Sequence, residues 1–175
     1  MPILNIIKHP DDILRRKARP VENFDAELQR LIDDMVETMR AAPGVGLAAP
    51  QVNVPLRVAV VEFGEDPSED ANGNPPVKKL FRLVNPEISR LSTELETASE
   101  GCLSIPGLVG DVERAISVTV KARNRRGQPL KLKASGWLAR IIQHEIDHLN
   151  GVLFIDKALK LEVLQEGDAQ ENQRA

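Results

Sequence analysis

Residues 136–151, GWLARIIQHEIDHLNG, contain an H-E-x-x-H motif at residues 144–148. On a helix, two histidines four residues apart project from one face with Cβ atoms about 5–6 Å apart, which suits two imidazoles binding one metal ion. Glu145 follows His144 and can reach a metal-bound water as a general base. The motif therefore predicts two ligands, His144 and His148, and a proton acceptor on one helix.

The spacing of residues around the motif supports the helix. A continuous stripe at three- and four-residue intervals contains Trp137, Ile141, His144 and His148. We expect Ser135 or Gly136 to cap the helix start and Gly151 to follow its end. The alternative is that both histidines are ordinary helix residues, but the chain has only 3 histidines and two of them occupy the motif.

The composition narrows the class of protein. A chain of 175 residues, with 42% hydrophobic and 28% charged residues, is typical of one globular domain. A net charge of −3 and the lack of tyrosine argue against a nucleic-acid or anionic-membrane partner. No apolar run reaches the roughly 18 residues of a membrane span, and the N-terminus resembles neither a signal nor a transit peptide. The single cysteine, Cys102, excludes an intrachain disulfide, so we expect a cytoplasmic protein.

Hydrophobic periodicity predicts an α+β fold with mixed or antiparallel sheet. A helix is expected from Asp25 to Met39, and a last helix from Lys157 to about Gln165. The expected strands are residues 56–62, 81–85, 95–98, 116–122 and 130–133. Residues 64–79 read as an exposed, mobile excursion. We expect one domain over residues 1–166 and a polar, flexible tail over residues 167–175.

Residues 44–51, GVGLAAPQ, form a second unusual stretch. The stretch is small, apolar and glycine-rich, and it ends in the amide of Gln51. It lacks the G-K-[ST] of a phosphate loop. Small residues allow a backbone to approach a ligand closely, but a plain tight turn beneath a sheet explains the same composition.

A catalytic metal usually has three protein ligands, so a third is needed. Asp147 lies between the histidines but is rotated away from their face. No histidine follows Gly151, and a glutamate ligand at Glu162 or Glu166 remains open. Cys102 lies in a polar Glu-Gly-Cys-Leu-Ser loop, and a thiolate with two imidazoles suits Zn²⁺ or Fe²⁺.

Three stretches in this order, GVGLAAPQ, EGCLS and QHEIDHLNG, resemble the motifs of peptide deformylases. The resemblance extends to HPDDILRRKARPV near the N-terminus and to GVLFID after the helix, so it covers about residues 3–157. It implies sheets packed around a central H-E-x-x-H metal-binding helix. It also implies an enzyme that removes the N-formyl group from the initiator methionine of new polypeptides and releases formate.

The resemblance also implies roles for individual residues. Cys102, His144 and His148 match the ligands of one divalent metal, usually Fe²⁺, with Zn²⁺, Ni²⁺ or Co²⁺ in isolated forms. Glu145 matches the general acid/base. Gln51 and the backbone N–H of Leu103 match the donors that hold the formyl oxygen.

The substrate's methionine side chain requires an apolar pocket. Our candidates for substrate binding are Val45, Gly46, Trp137 and Ile141. Trp137 and Ile141 share the ligand face of the helix, and plain core packing is the alternative for both.

Three features depart from the family pattern or stay open. Val109 stands where many members have an arginine that helps to hold the peptide. Arg140 precedes His144 by one turn, where it can be solvated or reach the glutamate of the motif or the peptide. Some members dock on the ribosome with a basic C-terminal helix. Residues 157–175 here carry three basic and four acidic residues, which leaves transient ribosome association as an open expectation.

Two other functions fit parts of the sequence. A zinc endopeptidase would use the same helix and Glu145, but it would need a cleft that passes the chain on both sides. The second is a catalytically silent metal-binding or interaction protein. A mutated H-E-x-x-H motif or the absence of Gln51 would favour that function, and the sequence shows neither.

Overall fold

Two antiparallel sheets dominate the computed structural model, which describes residues 2–64, 72–74 and 77–164. The larger sheet has the order β1-β2-β3-β6-β7 and the smaller one β4-β5-β8. The strands are β1 (Gly46–Ala48), β2 (Val58–Phe63), β3 (Lys79–Leu91), β4 (Leu95–Cys102), β5 (Ile105–Ala115), β6 (Ser117–Arg123), β7 (Pro129–Ser135) and β8 (Ala158–Val163). All strand pairs are antiparallel, so of the two predicted sheet types the antiparallel one is present.

The first long helix, α1 (Ala26–Ala41), packs on the larger sheet. Asp25 caps it, because its carboxylate accepts a hydrogen bond of 3.0 Å from the Leu28 N–H. Its buried stripe forms a core cluster with residues of β1 and β2. The helix predicted from Asp25 is therefore confirmed.

The motif helix, α2 (Gly136–Leu149), contacts β1, β2, β6 and β7 of the larger sheet and β5 of the smaller one. It starts after Ser135 and ends at Asn150. Arg57 satisfies the C-terminal end, since its guanidinium donates to the Leu149 carbonyl at 2.8 Å and to the Asn150 side chain at 3.0 Å. Gly151 follows with a φ of 75°, as predicted for the residue after the helix.

Among the described residues, three short helical segments join the longer elements. A 3₁₀ helix, Asp12–Arg15, is capped by Asp11, and another, Ala49–Val52, follows β1. A single turn, α3 (Phe154–Lys157), precedes β8. In the described part of the chain, no helix combines the length and the apolar character needed to cross a membrane.

The C-terminal prediction was wrong. The described residues of the helix predicted from Lys157 to Gln165 are not helical beyond Lys157, which ends α3; Ala158–Val163 form β8 instead. Leu159, Leu161 and Val163 alternate with charged residues, and this period of two is the strand pattern. The predicted tail, residues 167–175, and most of the predicted excursion at residues 64–79 lie outside the described residues.

Strands β1 and β5 were missed. The five predicted strands are present: β3, β4 and β7 are longer than predicted, and β2 and β6 are shifted by one or two residues. Pro106, Gly107 and Gly110 give β5 the composition of a loop. In the structure β5 is the middle strand of its sheet and pairs with β4 on one side and β8 on the other. Backbone pairing on both edges therefore outweighs the weak strand propensity of its residues.

Gly151 is a position where the fold requires glycine. Its φ of 75° is left-handed, and a Cβ there would overlap the carbonyl oxygen of Arg15. We expect Gly151→Ala to lose about 1–2 kcal/mol through the backbone conformation and about 1–3 kcal/mol more through the overlap. Urea denaturation of the purified variant measures the loss.

Gly107→Ala is the matched control. Gly107 has a φ of 79°, but among the described residues no atom beyond its chain neighbours lies within 4 Å of the point that a Cβ would occupy. Only the conformational cost therefore applies there. Equal destabilisation by the two substitutions would contradict the predicted overlap at Gly151.

Candidate metal centre and active site

Three buried side chains meet where the end of β4 contacts the C-terminal half of α2. One ligand atom from each of Cys102, His144 and His148 lies within 4.8 Å of the others. The Cys102 Sγ is 3.3 Å from the His148 Nε2. The structure thus brings together the three residues that match the family's ligand set.

Glu100 orients the first histidine. Its Oε1 is 3.0 Å from the His144 Nδ1, which leaves the Nε2 as the ring atom that faces the cluster. That Nε2 is buried and has no hydrogen-bond partner among the described residues. A carboxylate behind a ligating histidine is the usual arrangement at protein metal sites. The free Nε2, the thiol and the second imidazole form a donor set that fits a divalent metal.

The protonation of the two histidines differs. Burial and the neighbouring His144 hold the pKa of His148 well below its ordinary 6.5, so its imidazole is neutral, as metal binding requires. Burial also lowers the pKa of His144, but the nearby Cys102 and the Glu100 carboxylate outweigh it and raise the pKa to about 10. Metal binding at His144 therefore competes with a proton.

Glu145 lies fully buried beside this cluster. Neither of its carboxylate oxygens has a hydrogen-bond partner among the described residues. Burial raises its pKa to about 7, which is the range in which a carboxylate can both accept and return a proton. A Cβ on Gly46 would overlap the Glu145 Oε2, so the predicted substrate-binding residue Gly46 makes room for this carboxylate.

Gln51 points its amide nitrogen towards the same cluster. Its Oε1 accepts the Ala48 N–H at 2.9 Å, and its Nε2 is 3.1 Å from the Ser104 Oγ and 3.7 Å from the Cys102 Sγ. Gln51 and Ser104 are both fully buried. The backbone and Ser104 therefore fix which end of the amide faces the site, a role of Ser104 that the sequence did not predict.

The N-terminal arm, residues 2–9, is hydrogen-bonded to the two loops of the site that contain Gln51 and Ser104. The Ile7 N–H donates to the Gln51 carbonyl at 2.7 Å, and the His9 N–H donates to the Ser104 carbonyl at 2.8 Å. The Lys8 Nζ donates to the Leu103 carbonyl at 3.0 Å. His9, the histidine outside the motif, therefore lies beside the site and contacts it through its backbone.

A small pocket opens next to His144. Val45, Trp137 and Ile141 all contribute to its lining. Ile141 is only 3% exposed and also belongs to the core packed against the larger sheet. Pocket lining and core packing, the alternatives for Ile141, thus occur together.

Behind the histidine, Glu100 is the centre of a buried ionic network that the sequence did not predict. Arg114 donates two hydrogen bonds to its carboxylate, at 2.6 and 2.9 Å. Arg140 donates a third at 2.6 Å, so the open question about Arg140 is answered by a buried ion pair. Burial raises the pKa of Glu100, but hydrogen bonds from His144 and Arg114 outweigh it and hold the pKa far below its ordinary value.

Two of the remaining sequence candidates, Asp147 and Glu162, lie outside the cluster. Asp147 points away, as predicted, and accepts a hydrogen bond of 2.8 Å from Arg114. Glu162, an open alternative for the third ligand, lies on the exposed β8 opposite Val109. Glu166 lies outside the described residues. The only signal for Glu100 was its place in the EGCLS motif.

Comparison with known proteins places this geometry in a family. Residues 3–163 match the family described as Polypeptide deformylase. The chain is 49% identical over 175 residues to a peptide deformylase of Symbiobacterium thermophilum, covering 100% of this chain and 75% of that one. The chain belongs to the polypeptide deformylase family. The family resemblance and the enzyme class predicted from the three motifs are therefore confirmed.

Solved deformylases share the α+β fold. The Thermotoga maritima peptide deformylase superposes with a TM-score of 0.82 at 39% identity, over 91% of this chain and 100% of that one. A class I type b enzyme from Acinetobacter baumannii, solved with Met-Ala-Ser bound, gives a TM-score of 0.79 at 38% identity, over 89% and 98% of the two chains. Deformylases are metal-dependent hydrolases that remove the N-formyl group from nascent peptides, and the chain is an enzyme of this kind.

The role of Glu100 is testable through metal affinity. Glu100→Gln keeps the size of the side chain but removes the charge that orients His144. We expect the affinity for Co²⁺ or Zn²⁺ to fall about 10–100-fold, the usual cost of losing a partner behind a metal ligand. Competition with a chromogenic chelator measures it.

Glu96→Gln on the same strand is the control. Its side chain is exposed, and Arg140 uses only its backbone carbonyl, at 2.6 Å. A folded Glu100→Gln protein that binds metal as tightly as the Glu96→Gln protein would contradict the assignment.

Proposed function

We propose that the Cys102 Sγ and the Nε2 atoms of His144 and His148 hold one divalent ion at which the N-formyl group of an initiator methionine is hydrolysed. The buried His144 Nε2, which faces a thiol and a second imidazole without a partner of its own among the described residues, is the observation that carries this proposal. When bound, such an ion lowers the pKa of a water molecule towards neutrality and polarises the formyl oxygen.

Glu145 carries the proton in this scheme. Its carboxylate accepts a proton from the attacking water while the water oxygen forms a bond to the formyl carbon. The carboxylate then returns that proton to the methionine nitrogen as the C–N bond breaks. Formate and a peptide with a free amino terminus result. A pKa raised to about 7 by burial supports both transfers.

Gln51 and Leu103 stabilise the negative charge that develops on the formyl oxygen. The Gln51 Nε2 is held towards Cys102 by contacts at both ends of its amide. The Leu103 N–H follows the cysteine directly in the chain. Donors fixed in advance lower the barrier because they need no reorganisation during the reaction.

The methionine side chain packs at the pocket beside His144, which has a volume of about 20 Å³ and must widen to admit it. Val45, Trp137 and Ile141 supply its apolar lining. Gly46 binds the substrate through its backbone in this proposal, since the space that a side chain would fill holds the Glu145 carboxylate. The Met-Ala-Ser bound to the A. baumannii relative has methionine at its first position, which supports this choice of substrate.

The native metal in this proposal is Fe²⁺. A thiolate and two imidazoles also accept Zn²⁺, Ni²⁺ or Co²⁺, so replacement during purification is expected. The thiolate beside Fe²⁺ makes the enzyme sensitive to oxidation.

We further propose that residues 1–166 act as a single catalytic domain built around α2 as the metal-binding helix. The lone Cys102 is consistent with a cytoplasmic enzyme that meets nascent chains. Transient ribosome association belongs to the same proposal, although residues 157–175 are not basic overall. Nucleic acid and membrane are not among the proposed partners.

A pair of variants separates the metal from the proton carrier. With Fe²⁺ under anaerobic conditions, the enzyme should release formate from formyl-Met-Ala-Ser. Glu145→Ala should retain stoichiometric metal but lose formate release, because the proton acceptor is gone. Cys102→Ala should lose both, because a ligand is gone.

Formate detection and elemental analysis of the same samples measure the two quantities. Stoichiometric metal in the Cys102→Ala protein would overturn the ligand set. Cleavage of an internal peptide bond without formate would overturn the reaction.

The oxyanion role predicts the effect of truncating Gln51. Gln51→Ala should lower kcat about 10²–10³-fold, the typical cost of one oxyanion donor. Ser104→Ala is the comparison: it leaves the donor in place and removes only its 3.1 Å partner, so the loss should be smaller. Steady-state kinetics with formyl-Met-Ala-Ser gives both values. A Gln51→Ala enzyme with kcat within about threefold of the wild type would exclude the role.

A further inference from the structure

Strand β8 is an exposed edge with an apolar face. It ends the smaller sheet and pairs only with β5 among the described residues. Leu159, Leu161 and Val163 are 70%, 47% and 76% exposed. An edge strand with free backbone groups and apolar side chains is a template for adding another strand.

The hydrogen bonds between β8 and β5 show which backbone N–H and C=O groups of β8 face outward. The Leu164 N–H donates to the Gly107 carbonyl at 2.8 Å. In an antiparallel pair the residues that bond to the neighbouring strand alternate. Lys160 and Glu162 therefore turn their backbone groups towards β5. Leu161 and Val163 turn theirs outward, where they are available to a further strand.

The charges on β8 select a particular partner. Lys160 and Glu162 are exposed, and neither makes an ion pair with any described residue. They flank Leu161 with opposite signs. When two such strands pair antiparallel about a two-fold axis at Leu161, each Lys160 stands opposite the Glu162 of the other copy. An axis at Lys160 or at Glu162 would instead place like charges face to face, which destabilises a sheet.

We propose that two copies of this chain associate through β8, with Leu161 on the two-fold axis. The two small sheets then form one six-stranded sheet, regular over residues 160–162 of each copy. Leu159, where the register of β8 with β5 shifts, lies next to Val163 of the other copy. The outward backbone groups of Leu161 and Val163 fall in the hydrogen-bonded phase of this register, and the ion pairs fall in the closer, non-hydrogen-bonded phase. The same surface serves both copies, so the assembly closes as a dimer.

A second copy matches this edge better than residues 165–175, which follow β8 in the sequence. Residues 165–175, QEGDAQENQRA, contain no β-branched or aromatic residue, and alanine is their only apolar side chain. Such a segment lacks the side chains that would cover Leu159, Leu161 and Val163. The alternating charges also argue against a purely protective edge, since charges of one sign would prevent self-pairing.

Charge exchange tests both the partner and the register. Sedimentation equilibrium of the full-length, metal-loaded enzyme should show a reversible monomer–dimer equilibrium. Lys160→Glu alone, or Glu162→Lys alone, replaces two attractive cross-strand pairs with two repulsive ones. Each single variant should raise the dimer Kd about tenfold or more. The double variant K160E/E162K restores opposite charges and should return the Kd to within about twofold of the wild type.

The outcomes separate the proposal from its alternatives. A wild-type chain that stays monomeric at every concentration overturns the association, whatever else covers the edge. A dimer that neither single variant weakens, or that the double variant does not restore, overturns the register. Formate release should be unchanged in all three variants, because neither side chain belongs to the site. Retained activity therefore shows that a shift in Kd does not come from misfolding.

Discussion

The carboxylate of Glu100 is the interaction on which the arrangement of the site depends. It lies on β4, and it binds Arg114 of β5 together with Arg140 and His144 of α2. Two guanidinium groups and an imidazole surround one buried charge, so the cost of removing these groups from water is offset only while all of them keep their partners. This requirement fixes the position of α2 relative to the small sheet. The same bonds turn the His144 Nε2 towards Cys102, so one network serves both packing and ligand orientation.

The rest of the site depends on backbone rather than on charge. Cys102, Gln51 and His148 are separated by about fifty residues along the chain, and each comes from a different element. The N-terminal arm holds two of these elements together through the bonds from Ile7 to Gln51 and from His9 to Ser104. The position of Glu145 depends on the glycine at residue 46, since any side chain there would displace the Glu145 carboxylate. The glycine-rich stretch is thus explained by close approach to the site and not by a plain tight turn.

Local patterns predicted local features, and they failed where long-range pairing decides. The cap at Asp25, the bounds of the motif helix and the glycine after it depend on residues within one turn, and they were predicted. The third ligand could not be chosen from the residues alone, because Cys102 and a later glutamate both fit; the family resemblance favoured Cys102. Glu100 and Arg140 carried no local signal for their pairing, since the two are 40 residues apart.

The alternation of apolar and charged residues near the C-terminus indicates both a strand and an exposed sheet edge. Apolar and charged residues alternate over residues 158–163, which is a strand pattern. Charged side chains lie on one face of β8 and apolar side chains on the other, and neither face is buried. Its apolar positions stay exposed while its backbone bonds to β5. Such a strand has unpaired backbone groups along its outer edge and exposed apolar side chains, both of which another strand could cover. Because β5 lies between β8 and the strand that ends at Cys102, whatever completes that edge extends the sheet that supplies the thiolate.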